Sequence, residues 1–115
     1  MKNKLISVIM GVYNAETTVQ NSIESILEQS YTNIEILVLD DGSNDKTYKI
    51  CKSIKDNRLK IYKNNDNIGL TKSLNKLISL TEGEFIARQD ADDLSRKYRL
   101  EKQMQHLLDN NLDAC

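Results

Sequence analysis

The feature that most constrains this chain is a fourfold alternation of short apolar runs with longer amphipathic ones. Leu5 to Val12 and Ile34 to Leu39 are brief and dense in isoleucine, valine and leucine, the pattern of strands buried on both faces. Leu59 to Tyr62 reads as a third, shorter strand and Glu84 to Gln89 as a fourth. Between and after them, apolar residues recur at helical spacing. Val19, Ile23, Ile26 and Leu27, with Ser30, mark one helix, and Ile50, Cys51 and Ile54 a second. Leu70, Leu74, Leu77 and Ile78 mark a third, and Leu100, Met104, Leu107 and Leu108 a fourth. Thr17 to Gln20 has the form of a capping box before the first helix. Asn44 and Asp45 suit the start of the second, and Gly83 is placed to end the third. Gly69 is expected to serve a turn with positive φ.

Strand and helix in alternation predict an α/β fold: an open, mostly parallel sheet with right-handed crossovers and helices on both faces. Ligands of such sheets sit outside the carboxyl ends of the strands, where strand order reverses. The unusual polar residues lie at those ends: Tyr13 and Asn14, then Asp40 and Asp41, then Asp90 and Asp92. A strand order 3-2-1-4 would bring all three sets to one crevice.

At 115 residues the chain fits one domain. Its 16 basic and 17 acidic side chains leave a net charge of -1, so neither nucleic acid nor an anionic membrane is expected as a primary partner. Proline is absent and glycine scarce, which argues against a linker. Cys51 and Cys115 have no metal-like spacing. Cys51 falls on the apolar side of a helix, where a buried free thiol is expected, and a cytoplasmic location follows as the default. The apolar run near Met1 is too brief to span a membrane.

Asp90-Ala91-Asp92-Asp93 sets three carboxylates within four residues. Like charges so close oppose one another's ionisation unless a cation neutralises them. A hard ion, Mg²⁺ or Mn²⁺, would do so through oxygen ligands while keeping waters and phosphates in its shell. The same cluster also reads as a solvated acidic turn that caps the next helix. Asp40-Asp41-Gly42-Ser43 is open to two readings as well, a turn capping the second helix or a carboxylate that accepts hydrogen bonds from a base or ribose. Tyr13 could stack on a nucleobase or simply cover the sheet rim. Arg88, Arg96, Lys97 and Arg99 flank the acids and could offset diphosphate charge. His106 receives no role, and Asn75 faces either cleft or water.

Together these segments resemble the family 2 glycosyltransferases, which have the Rossmann-like GT-A fold. Ser7-Val8-Ile9-Met10-Gly11-Val12-Tyr13-Asn14-Ala15-Glu16 is similar to the family's opening strand, and Leu39-Asp40-Asp41-Gly42-Ser43 to its V-D-D-G-S segment. Asn67-Ile68-Gly69 is similar to its N-x-G turn, and Asp90-Ala91-Asp92-Asp93 to its D-x-D motif. The resemblance implies a nucleotide-sugar donor, usually a UDP-sugar, and an inverting, metal-dependent transfer to an acceptor hydroxyl. Tyr13 would then stack on the base, with Asn14 beside it. Asp41 would bond the base, Asp90 would lie near the ribose or metal, and Asp92 would be the principal metal ligand. The acceptor would be a saccharide, a lipid-linked molecule or a protein. The resemblance is also compatible with peripheral membrane association of the full-length protein. Two departures stand out. Gly11 replaces a common proline, and Ser73-Leu74-Asn75 replaces an Ala-Arg-Asn segment, leaving Lys72 as the substitute for its arginine.

Leu112 to Cys115 reads as the start of a fifth strand. The chain is therefore expected to be truncated, with the acceptor site and general base lying beyond Cys115. Such a fragment is expected to bind nucleotide without transferring sugar, and its unpaired sheet edge favours self-association. The alternatives are a haloacid-dehalogenase-like D-x-D phosphatase, a receiver-like signalling module and a nucleotide-binding module without chemistry. In the phosphatases and receivers the acidic pair follows the first strand. A dinucleotide-binding domain is disfavoured because no G-x-G-x-x-G follows strand one.

Overall fold

The computed structural model describes residues 4–109. Four strands, β1 (Ile6–Val12), β2 (Ile34–Asp41), β3 (Leu59–Asn64) and β4 (Phe85–Arg88), alternate with four helices, α1 (Val19–Leu27), α2 (Thr47–Ser53), α3 (Leu70–Ile78) and α4 (Arg99–Asp109). All strand pairs are parallel and the order is β3-β2-β1-β4, as the alternation predicted. The expected fifth strand at Leu112 to Cys115 lies outside the described residues.

Period-two alternation divides the two central strands between two cores. Ile6, Val8, Met10 and Val12 of β1, with Ile34, Ile36 and Val38 of β2, pack against α1, α2 and α4 through Val19, Ile23, Ile26, Cys51, Leu100 and Met104. Ile9, Leu37 and Leu39 face the other way, onto Leu77 of α3. Each such side chain, fully buried, contributes roughly 1.5–3 kcal/mol, so the central strands anchor the fold.

The same alternation governs the ends of the strands. β2 runs on to Asp41, two residues beyond the apolar run, so Asp40 and Asp41 are buried strand residues, which departs from the turn reading of this segment. They point to opposite faces. Val12 pairs with Asp40, and Asp41 with Asn64, so these three strands end nearly level. Arg88, the last residue of β4, pairs with Ile9. β4 thus stops three residues short, a step of roughly 10 Å at strand rise.

Three local expectations need correction. The capping box does not form: the turn into α1 is closed by Ala15 O, which accepts the Thr18 and Val19 amides, and Gln20 bonds Glu24 instead. Gly83 does not end α3, which stops at Ile78. It lies against β1, where a Cβ would come within 2.4 Å of Ser7 Oγ, so its role is close approach. Leu70, Ile78 and Leu108, assigned to inner faces, are exposed. Asn75 faces solvent. Gly69 does have positive φ, at 98°.

Candidate functional site

The carboxyl edge of the sheet carries the polar residues singled out above. On the α3 side, Gly11, Val12, Tyr13, Asp41, Asn67 and Gly69 line a hollow of about 280 Å³ together with Leu70 and Ser73. Gly11 lets α3 come close, since a Cβ there would lie 2.9 Å from the Leu70 side chain. Tyr13 leaves 46% of its surface exposed at this hollow, an aromatic face available to a planar ligand.

Asp41 is 4% exposed and is the organiser of the turn beside it. Its Oδ1 accepts the Ile68 amide at 2.8 Å and Asn64 Nδ2 at 3.0 Å, and its Oδ2 accepts the Gly69 amide at 2.9 Å. Burial alone would raise the pKa of this carboxyl. The bonds from Ile68, Asn64, Gly69 and Ser73 outweigh burial and hold it below the usual aspartate value. Gly42, with φ of 74°, abuts the same turn, and a Cβ there would meet the Asn67 amide nitrogen at 2.9 Å. Sequence reading treated Gly42 and Asp41 as one local turn. Their true partners lie more than twenty residues away.

Asp40, on the opposite face, accepts the Ser43 hydroxyl and backbone amide. Ser43 Oγ in turn accepts the Asn14 amide at 2.8 Å, and Asn14 Oδ1 accepts the Asn44 amide at 2.8 Å. Asn14 takes the left-handed conformation, φ 48°, that asparagine tolerates better than most residues. Ala15 N donates to Thr47 Oγ1, and Lys46 N to Glu16 Oε1. The loop after β1 and the loop after β2 are therefore sewn together. Cys51 lies behind them as a free, buried thiol, pushed up to about 12 by burial and by the Asp40 charge, and so inert.

The acidic turn occupies the step left by short β4. Carboxylate oxygens of Asp90, Asp92 and Asp93 all lie within 4.8 Å of one another. The turn is closed by Asp93 N donating to Asp90 O at 3.0 Å. Arg88 Nε pairs with Asp90 Oδ1 at 3.2 Å, while among the described residues Asp92 has neither hydrogen bond nor ion pair. Three exposed oxygen donors at this spacing fit a hard divalent cation that keeps part of its water shell. Asp92 does not line the hollow that holds Tyr13 and Asp41. The two groups share the sheet edge, separated by the end of β1. A larger hollow of about 600 Å³ lies on the α4 side of the turn, bordered by Asp93, Arg96, Tyr98, Arg99 and Lys102.

Of the flanking cations, Arg88 is committed to Asp90 and Arg99 to its neighbours. Lys97 Nζ sits 5.6 Å from the Tyr98 ring. Lys72, the substitute considered for the missing arginine, is exposed on α3. Sequence reading missed Gln89, which is 2% exposed beside the acids. A signal was present: Phe85, Ala87 and Gln89 share the inward parity of β4, so a glutamine there must be buried and bonded.

The parallel sheet in the order β3-β2-β1-β4, with acids and an aromatic gathered at its carboxyl edge, defines an open α/β fold of the Rossmann-like class. Residues 7–115 match the profile described as Glycosyl transferase family 2, and the chain belongs to that family. The Bacillus subtilis protein EpsE is 50% identical over 105 residues, covering 89% of this chain and 38% of that protein. The Escherichia coli UDP-Glc:alpha-D-GlcNAc-diphosphoundecaprenol beta-1,3-glucosyltransferase WfgD is 39% identical over 112 residues, covering 97% of this chain and 44% of that protein. Among solved structures, Staphylococcus aureus TarS 1-349 in complex with UDP-GlcNAc superposes with a TM-score of 0.85 at 29% identity, covering 92% of this chain and 32% of that one. The chain thus spans less than half the length of these relatives, and the GT-A fold expected from the motifs is the fold found. The phosphatase and receiver alternatives, which need their acids after strand one, are not favoured: β1 ends at Val12 and is followed by Tyr13 and Asn14. Among the described residues, no helix is long and apolar enough to cross a membrane.

Proposed function

We propose that this chain forms the donor side of a glycosyltransferase that moves a sugar from a UDP-sugar to an acceptor hydroxyl, with inversion at the anomeric carbon. The observation that carries this reading is the gathering of Tyr13, Asp41 and the three carboxylates at the ends of adjacent strands. The neighbour solved with UDP-GlcNAc and the relative named for UDP-Glc support the donor class.

Tyr13 stacks on the base, and Asp41 meets the base edge from the wall of the same hollow while holding the Ile68–Gly69 turn in place. Asn14 contributes by locking the rim through Asn44. Asp92 is the principal ligand for Mn²⁺ or Mg²⁺, with Asp90 toward the ribose or metal. A divalent ion held there supplies positive charge opposite the leaving diphosphate. In the overall reaction the anomeric carbon–diphosphate bond breaks as the acceptor oxygen bonds the same carbon, and the acceptor proton passes to a base. That base is assigned to none of the described residues. The name of WfgD supports a lipid-linked saccharide as acceptor, which would bring the protein to a membrane surface.

Calorimetric titration with UDP, with and without Mn²⁺, tests the reading on the wild type and on Asp92→Ala. Tighter binding with Mn²⁺, lost in the variant, is expected. UDP binding that ignores both the ion and the substitution would refute it.

A further inference from the structure

We infer that Gln89 is the positioning residue of the acidic turn, an inference that rests on reading that turn as the metal and diphosphate site. Its side-chain Nε2 donates to the Asp93 carbonyl at 3.0 Å and to Ser22 Oγ at 3.0 Å. Ser22 Oγ then donates to the Asp90 carbonyl at 2.8 Å. One buried amide therefore grips both ends of the four-residue turn, directly at Asp93 and through a hydroxyl relay at Asp90. On its other side, Oε1 accepts Ser95 Oγ at 2.7 Å and Arg99 Nη1 at 2.7 Å. Arg99 Nη2 continues to the Arg88 carbonyl at 2.8 Å, which ties the end of β4 to the start of α4.

The chemistry of these partners leaves one orientation. A guanidinium only donates and a backbone carbonyl only accepts, so Oε1 must face Arg99 and Nε2 must face Asp93. Glutamate would set an oxygen against the Asp93 carbonyl. Methionine would remove the donor to the Asp93 carbonyl and one of the acceptors of Arg99 Nη1, which keeps Ser95 Oγ. Asp92 sits between the gripped ends with no side-chain partner of its own among the described residues. The backbone of the turn carries its carboxylate, and Gln89 holds that backbone to β4 and α1 alongside the turn's own Asp93 N–Asp90 O bond. It acts on the ion through the turn and touches neither ion nor donor.

The test uses Mn²⁺ and UDP as probes on the wild type, Gln89→Met, Ser22→Ala and Asp92→Ala. Free Mn²⁺ is followed by electron paramagnetic resonance, UDP affinity by calorimetry with and without the ion, and folding by circular dichroism. Gln89→Met is expected to weaken Mn²⁺ binding about 10- to 100-fold, the usual effect of removing an outer-shell partner, with metal-free UDP affinity unchanged. Ser22→Ala, which removes only the relay to Asp90, is expected to weaken Mn²⁺ in the same direction by less. Should Gln89→Met fail to fold, Ser22→Ala decides, and wild-type Mn²⁺ affinity in that variant overturns the inference. Wild-type Mn²⁺ affinity in a folded Gln89→Met overturns it too, provided Asp92→Ala still loses the ion. If Asp92→Ala also binds Mn²⁺ normally, the metal reading itself has failed.

Discussion

Asp41 Oδ2 accepts the amide of Gly69 at 2.9 Å, joining the last residue of β2 to the glycine that opens α3. The two are 28 residues apart, and the bond forms only because Gly69 adopts φ 98° and ψ 156°. This region of backbone space is nearly closed to other residues.

Substitution at Gly69 and at Gly42 should therefore differ in kind. A Cβ at Gly69 meets nothing within 4 Å, so Gly69→Ala should cost only the backbone strain, about 1–3 kcal/mol in urea unfolding. At Gly42 the same Cβ would lie 2.9 Å from backbone atoms of Asp66 and Asn67. Gly42→Ala should accordingly lose more stability than Gly69→Ala. Equal losses would show that the loops do not meet as described.

Tyr13 offers a cleaner separation of binding from folding. Its ring is half exposed and belongs to neither core, so Tyr13→Ala should leave the urea midpoint near that of the wild type. UDP affinity should fall by about 1–3 kcal/mol, the usual worth of a base stacked on an aromatic ring. Tyr13→Phe should bind as the wild type does. Undiminished UDP affinity in the alanine variant would remove the ring from the site.

Acid should destabilise the chain through two buried carboxyls. For Glu35, burial raises the pKa. Bonds from the Glu82 amide, Ser7 and Lys60 outweigh that effect and lower it from 4.5, just as Asp41 is lowered from 3.8 by its own donors. A group depressed in the folded state contributes its full stability above the unfolded value and loses it as pH falls through the folded one. Melting temperature should thus be level in its dependence on these groups above about pH 5 and decline below about pH 4. Asp41→Asn should shallow that decline, at the cost of a lower melting temperature throughout, because its amide would face donors. An undiminished slope in the variant would show that Asp41 does not contribute.

The architecture was legible because apolar periodicity is a local signal: the shortness and β-branched content of Ile34 to Leu39 mark a buried strand, and four such alternations leave few topologies. The strand ends were legible as places and not as parts. Asp40 and Asp41 looked like a turn because carboxylates rarely continue a buried strand, and what lets them do so here, Ser43 on one face and Asn64, Ile68 and Gly69 on the other, is invisible in local sequence. Gly83 misled for a similar reason, since it serves contact with β1 across the sheet and not a helix end. Gln89 was hidden by the acids that follow it, although the parity of β4 already pointed it inward.

The seam between the loops after β1 and β2 has a consequence for how such a chain can diverge. Ser43 Oγ takes the Asn14 amide and gives its own proton to Asp40, so one hydroxyl serves segments 29 residues apart. A change in either segment alters the footing of the other, and the pair behaves as a single mechanical part. On the proposed function, variation that retunes nucleotide preference would then fall on the opposite wall, around Asn67 and Leu70, where the sewn loops are left intact.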